Sequence, residues 1–395
     1  MVPKPIHGAH NPVLDTTALS VFEPIIARLK TLKDKQIIPL HQGKTVYTTP
    51  VELRPWGSDE FDYPPYHDGP TCGTEALIDA IQQKLAAQLK TEISPDRIQI
   101  TCGITQALSI AFHSILEPGD EVLVLSPHWL FTKGLVRAAG GIPVEVPFFP
   151  RGPNEVFGNV ASVLEPYLTS KVRAIYFNTP NNPTGKVMSR RQLEEVADIA
   201  ASQRIYVVAD NAYEYYDYSK DGFFDPVVLP AIRNQTFSAY SFSKSFGLTG
   251  YRIGYLLSPP KMAELARKFG LYSIYSVPTC CQFAALSALR SGPEVIESHR
   301  SFIRRALEIT IEKLRVPCTV PDGGFYTLLD LSSWSPGVDD FIARCISGGV
   351  SLAPGQAFGD QCGSHARLCY SVVGHDDLMR GIEVINGVFG RGPQS

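Results

Sequence analysis

The chain carries no excess of positive charge. Its 395 residues hold 36 Lys and Arg against 39 Asp and Glu, a formal net charge of −3. Without a basic surplus to neutralise phosphates, binding to nucleic acid by bulk electrostatics is excluded. The N-terminus, MVPKPIHGAHNPV, lacks the apolar stretch of a secretory leader, and no uninterrupted apolar run is long enough to span a bilayer. The expectation is a soluble, cytoplasmic protein with no membrane or nucleic-acid partner. No Cys-x-x-Cys pair occurs among Cys72, Cys102, Cys280, Cys281, Cys318, Cys345, Cys362 and Cys369, and no histidine cluster lies near them, which argues against zinc. They read as mostly buried thiols acting as small hydrophobes. Repeats and low-complexity tracts are missing as well.

What the chain does have is material for a core: 44% of its residues are hydrophobic and 19% charged, unlike a disordered chain. Its length suits two domains, or one large domain with an appendage. From about residue 95 to 257, short β-rich runs alternate with helix-like stretches. The candidate strands are 97–101, 121–126, 142–148, 173–178, 205–210, 236–241 and 252–257, several of them continuously apolar. Such runs fit a sheet covered by helices on both faces. SRRQLEEVADIAASQ (189–203) reads as an amphipathic helix with Ser189 as N-cap, and Leu77, Ile81, Leu85 and Leu89 repeat on one helix face. Beyond residue 260, a helical zone to about 315 precedes β-rich patches at 323–331 and 366–373 with a helix near 338–346. This pattern divides the chain into a large α/β domain over residues 42–290 and a smaller α+β domain built from 1–41 and 291–395.

Four segments concentrate polar residues where an open α/β sheet binds ligands, beyond the carboxyl ends of its strands. TCGITQAL (101–108) follows a strand and opens a helix, where backbone N–H groups suit a phosphate. NTPNNPTGKV (178–187) uses two prolines and a glycine to fix a turn that presents Asn182. VVADNAYEYYDY (207–218) sets Asp210 at the end of an apolar strand, where a carboxylate needs a partner. SFSKSFGLTGYRIGY (241–255) places Lys244 among serines, glycines and aromatics, so that burial would lower its pKa and free its amine as a nucleophile. Taken singly, each has an ordinary explanation: a strand–helix turn, loop punctuation, a helix N-cap, a Gly/Ser turn with one exposed lysine.

In this order the four resemble the class I and II aminotransferases, fold-type I enzymes that use pyridoxal 5′-phosphate, over roughly residues 35 to 385. NNPTG, the Asp-x-x-Tyr of residues 210–213 and SFSKSFGLTGYRIGY carry the resemblance; GDEVLVLSPHW, PDGGFY, PGQAFG and ARLCYS support it. It implies an α/β fold with a mostly parallel seven-stranded sheet flanked by helices, plus the small α+β domain. It also implies that Lys244 forms the Schiff base and shuttles the α-proton, that Asp210 binds the pyridine nitrogen, and that Tyr213 and Asn182 share the phenolic oxygen. Trp129 would stack on the ring, unless it is a core aromatic. Ile104, Thr105, Ser241, Ser243 and Arg252 would hold the phosphate, and Arg367 would clamp the substrate carboxylate, with Gly43, Asn182 and Trp129 also on the substrate side. Homodimers are implied, with Tyr66 or Tyr63 reaching the neighbouring subunit's phosphate.

Several positions depart from the family pattern. DNAY stands where an acidic and apolar pair is commoner, and Ile104 where glycine is frequent. YHDGPTCG (66–73) is longer than usual before its glycine, and Lys44 follows Gly43 where an apolar residue is typical. Amino transfer between an L-α-amino acid and a 2-oxo acid is the expected reaction. The alternative is elimination, replacement or cyclisation of an amino acid with the same cofactor; a catalytically idle binding module is disfavoured by the retained set of site residues.

Overall fold

The protein is described by a computed structural model that covers residues 72–335 and 337–390, together with residues 25, 28–29, 31–32 and 36–41. Seven strands form its main sheet: β1 (Ile98–Thr101), β2 (Glu121–Ser126), β3 (Ile142–Pro147), β4 (Val172–Asn178), β5 (Tyr206–Asp210), β6 (Thr236–Ser241) and β7 (Gly254–Leu257). Their spatial order is β1-β7-β6-β5-β4-β2-β3. Strands β3, β2, β4, β5 and β6 run parallel. β7 is antiparallel to both β6 and β1. The reversal has a simple cause. A parallel return needs a crossover of a dozen or more residues, usually helical, and only the four-residue helix Phe242–Ser245 lies between β6 and β7. Each expected strand is found, with four of them trimmed at an end and the one expected at 173–178 one residue longer. The seventh starts at Gly254 because Arg252 has a left-handed φ of 50°, which takes it out of the extended chain.

Helices cover both faces. Leu77, Ile78, Ile81 and Leu85 of the helix Glu75–Leu89 are buried, whereas Leu89 is half-buried. Ser189 caps the helix Arg190–Gln203: its Oγ accepts from Gln192 N–H, and the Gln192 side chain accepts from Ser189 N–H at 2.8 Å. Such a box adds about 1 kcal/mol to a helix end.

The second sheet is small and antiparallel, in the order β8 (Tyr326–Asp330), β10 (His365–Cys369), β9 (Ala353–Pro354). Its core joins Ile25 and Leu40 from the N-terminal side to Ile303, Phe341, Leu368 and Ile382. Ile38 N–H donates to the Gly349 carbonyl at 2.8 Å, tying the same segment to this unit. The helix Pro293–Lys313 serves both units. Ile296 packs with Leu77 and Tyr255, while Ile303, Ala306 and Ile309 enter the core of the small sheet. Among the described residues, no helix is long and apolar enough to cross a membrane, and no group of three or more His, Cys, Asp or Glu could hold a metal. Cys345, Cys362 and Cys369 are buried and the other five cysteines half-buried, so the expectation of mostly buried thiols holds in full for three.

Candidate active site

Three neighbouring parallel strands end on one edge of the main sheet with a polar residue: β4 with Asn178, β5 with Asp210 and β6 with Ser241. Together with the start of the helix Gly103–Ile115 and residues of the small sheet they line a cavity of about 240 Å³. Ile104, Thr105, Trp129, Asn182, Asp210, Tyr213, Ser241, Ser243, Lys244, Arg252 and Arg367 all face it. Gly43, Lys44, Tyr63 and Tyr66 lie outside the described residues.

Lys244 sits on the helix Phe242–Ser245, directly after β6. The Ser241 side chain caps that helix by accepting from Ser243 N–H at 3.1 Å, and Tyr216 Oη donates to the Lys244 carbonyl at 3.2 Å. The lysine is half-buried and lines the cavity. Burial lowers its pKa to about 8; Cys369 opposes the shift, and the positive charges of Arg367 and Arg252 add to it. A substantial neutral fraction near physiological pH is what a nucleophilic amine requires.

Asp210 is buried. Tyr176 Oη donates to its Oδ2 at 2.9 Å and Ala212 N–H to its Oδ1 at 3.1 Å. Burial nevertheless raises its pKa to about 6, because two neutral donors do not replace full hydration. No Lys, Arg or His forms an ion pair with it among the described residues. The strand end therefore presents an anion that a cationic group entering the cavity would stabilise.

Tyr213 is buried, with its hydroxyl 3.0 Å from that of Tyr326, and burial holds its pKa well above the usual tyrosine value. In NNPTG the two asparagines divide the work. Asn181 locks the turn, its Oδ1 accepting from the Thr184 hydroxyl at 2.7 Å and its amide donating to the Pro127 carbonyl at 3.0 Å. Asn182 turns toward the cavity, where its Oδ1 accepts from Arg367 Nη1 at 2.9 Å.

Arg367 comes from β10, across the gap between the sheets. It is 3% exposed, donates from Nη2 to the His41 carbonyl at 2.7 Å, and its Nε is buried without a hydrogen-bond partner. Its guanidinium lies between two rings, 4.5 Å from the Tyr326 centroid and 4.6 Å from that of Phe358. Stacking offsets part of the desolvation of such a cation, typically about 0.5–2 kcal/mol per ring, against a penalty of several kcal/mol for a buried ion. No carboxylate pairs with it among the described residues. That geometry fits an arriving carboxylate.

The other cation, Arg252, meets the helix start. At Gly103, φ +74°, an added Cβ would stand 2.4 Å from Arg252 Nη2, so only glycine lets the guanidinium approach the unpaired N–H groups of the first turn. Ser241, Ser243 and Thr249 line the same cavity. Helix N–H groups, hydroxyls and a guanidinium form a donor set suited to a phosphate dianion.

Sequence reading missed Tyr326, Phe358, Tyr176 and the His41 carbonyl. Tyr176 left a trace, a hydroxyl inside the apolar strand RAIYFN, since a buried tyrosine tip needs a partner. Tyr326 and Phe358 lie in PDGGFY and PGQAFG, motifs that support the family resemblance, but nothing in their local pattern says that they face Arg367.

The family described as "Aminotransferase class I and II" matches residues 57–385 of this chain. A probable aspartate/prephenate aminotransferase of Aquifex aeolicus is 30% identical over 383 residues, covering 94% of this chain and 90% of that protein. An aromatic-amino-acid aminotransferase 2 of Thermococcus litoralis is 31% identical over 342 residues, covering 85% of this chain and 87% of its own. Among solved structures, a double mutant of Thermus thermophilus aspartate aminotransferase superposes with a TM-score of 0.87 at 28% identity, covering 96% of this chain and 100% of that one.

Proposed function

This chain belongs to the class I and II aminotransferases and transfers amino groups between an α-amino acid and a 2-oxo acid, and on that premise we propose that pyridoxal 5′-phosphate is its cofactor, held in the cavity through Lys244. The observation that carries this reading is the lysine itself: an amine with its pKa lowered to about 8, set beside a buried acid, a buried tyrosine and two arginines on one cavity. When bound, the cofactor supplies an electron sink for negative charge at the substrate α-carbon and carries the amino group from one substrate to the other.

The residues divide the remaining work. Arg252, the N–H groups at Ile104 and Thr105, and the hydroxyls of Ser241 and Ser243 bind the phosphate. Asp210 holds a proton at the ring nitrogen, Tyr213 and Asn182 hydrogen-bond the phenolic oxygen, and Trp129 covers the ring. Lys244 would move the proton at the substrate α-carbon. Arg367 orients the substrate by its carboxylate. In this reading residues 42–290 form the cofactor-binding unit, residues 1–41 and 291–395 form the unit that brings Arg367, and Gly43 belongs to the substrate side. Borohydride treatment of the yellow protein followed by peptide mapping is expected to place one label per chain on Lys244. A label on a different lysine would sink the assignment.

The reading also includes a cytoplasmic homodimer, with Tyr66 or Tyr63 given across the interface. An apolar patch at the end of the helix Ala263–Ile274 supports the dimer, since Tyr272 is 86% and Tyr275 62% exposed. Light scattering should return twice the 43.4 kDa chain mass, and Tyr272→Glu combined with Tyr275→Glu should shift the protein toward monomer and lower its activity. A fully active monomer would rule the shared site out.

A further inference from the structure

Glu145 belongs to β3 and does not line the cavity, yet it touches both segments that shape it. Its Oε1 accepts from His128 Nε2 at 3.2 Å and contacts Lys133 Nζ. Its Oε2 accepts from Asp360 N–H at 2.9 Å and from Ser126 Oγ at 3.4 Å. Hydrogen bonds from His128 and Lys133 outweigh the effect of burial and hold the carboxyl at about 2, so it stays ionised at working pH.

The two arms lead to different parts of the site. On one side, His128 Nδ1 donates to the Trp129 carbonyl at 2.9 Å, fixing the backbone that carries Trp129 and Leu130 into the cavity. On the other side, the Asp360 contact fixes the turn after Phe358, whose ring lies against the Arg367 guanidinium. The arms also meet directly, because His128 N–H donates to the Phe358 carbonyl at 2.9 Å. Gly359 makes the approach possible: at φ +148°, an added Cβ would stand 2.5 Å from Ser126 Oγ and 3.2 Å from Glu145 Oε2.

We propose that Glu145 is a positioning residue that sets the ring-covering Trp129 and the carboxylate-binding Arg367 in one common geometry, by holding His128 with one oxygen and the Gly359–Asp360 turn with the other. Multiple donors on one fixed anion lock side chains more tightly than separate contacts to mobile groups. The inference rests on the roles given to Trp129 and Arg367 above.

Glu145→Gln keeps the shape but cannot serve the same donors as an anion. In the holoenzyme it is expected to raise KM for the amino acid about tenfold, the scale of one lost charged hydrogen bond, and to speed cofactor release several-fold, with kcat nearly unchanged. Lys133→Met removes the ammonium that contacts both Glu145 and the Asp360 side chain, but leaves the His128 ring and Asp360 N–H contacts to the carboxylate in place. It should lower the melting temperature while KM and cofactor release stay at wild-type values. Gly359→Ala, whose added methyl group would press on Ser126 Oγ and Glu145 Oε2 beside the Phe358 turn, should raise KM more than it speeds cofactor release, and it serves as the test should Glu145→Gln fail to fold. Wild-type KM and release in Glu145→Gln overturn the proposal, as do equal effects from Lys133→Met, or a Gly359→Ala enzyme with unchanged KM. Arg367→Lys in the same assay keeps the premises separate. If that variant leaves KM alone, the carboxylate assignment fails; if it raises KM while Glu145→Gln does not, only the role of Glu145 falls.

Discussion

Asparagine in place of Asp210 is expected to reduce turnover by about 100-fold or more, the scale of a misplaced catalytic proton, while making the cofactor-free protein more stable. The two effects share one cause. The Asp210 carboxyl is raised from 3.8 to about 6 by burial, with hydrogen bonds from Ala212 and Tyr176 opposing the shift. A carboxyl raised in the folded state binds its proton more tightly there than in the unfolded chain. Its contribution to stability is complete below pH 3.8 and is lost as pH rises through about 6. The loss is on the order of 3 kcal/mol for a buried group shifted this far. Asparagine is neutral throughout. Urea unfolding of cofactor-free protein should therefore find Asp210→Asn more stable than wild type above pH 6, with the gap closing toward pH 4. With cofactor bound the order should reverse, because only a carboxylate pairs with a protonated ring nitrogen. Near-normal turnover in the variant, or a stability gap independent of pH, would contradict the role given to Asp210.

The second large effect belongs to Arg367. Lysine keeps the charge but loses the planar fork and the stacking between Tyr326 and Phe358. It also cannot reach Asn182 Oδ1 and the His41 carbonyl together in the present fashion. Arg367→Lys is expected to lower kcat/KM for amino acids by about 1.5–3 kcal/mol, or roughly 10- to 150-fold. Cofactor content should be unchanged, because in the proposed reading Arg252 and the helix start would hold the phosphate. Amines without a carboxylate should be poor substrates for the unmodified enzyme and nearly indifferent to the substitution. A variant that loses cofactor while keeping its amino-acid kinetics would move Arg367 from the substrate to the phosphate.

Much of this molecule was legible before any coordinates. Strands β1 to β7 announced themselves as short apolar runs, because strands covered on both faces need no alternation. Asp210, Asn178 and Ser241 could be placed at one edge of the sheet because parallel strands all end on the same side. The direction of β7 was not legible in its composition. It followed from the connection after β6, whose one helix, Phe242–Ser245, is too short to cover a crossover.

By itself the amino-acid order determined the fold class and singled out residues that line one cavity: a lysine in a Gly/Ser-rich aromatic stretch, a strand-end aspartate and a proline-fixed asparagine turn. These are local features, each written within a short stretch of its own and dictated by backbone geometry and burial. Only the tertiary structure decided what those residues meet. That Asn182 accepts from Arg367, that Tyr213 faces Tyr326, and that Glu145 accepts from Asp360 N–H are contacts between segments 113 to 215 positions apart. No periodicity encodes such pairings, because they depend on how two separately formed sheets pack across the cavity, and that is set by the sum of the buried surfaces between them.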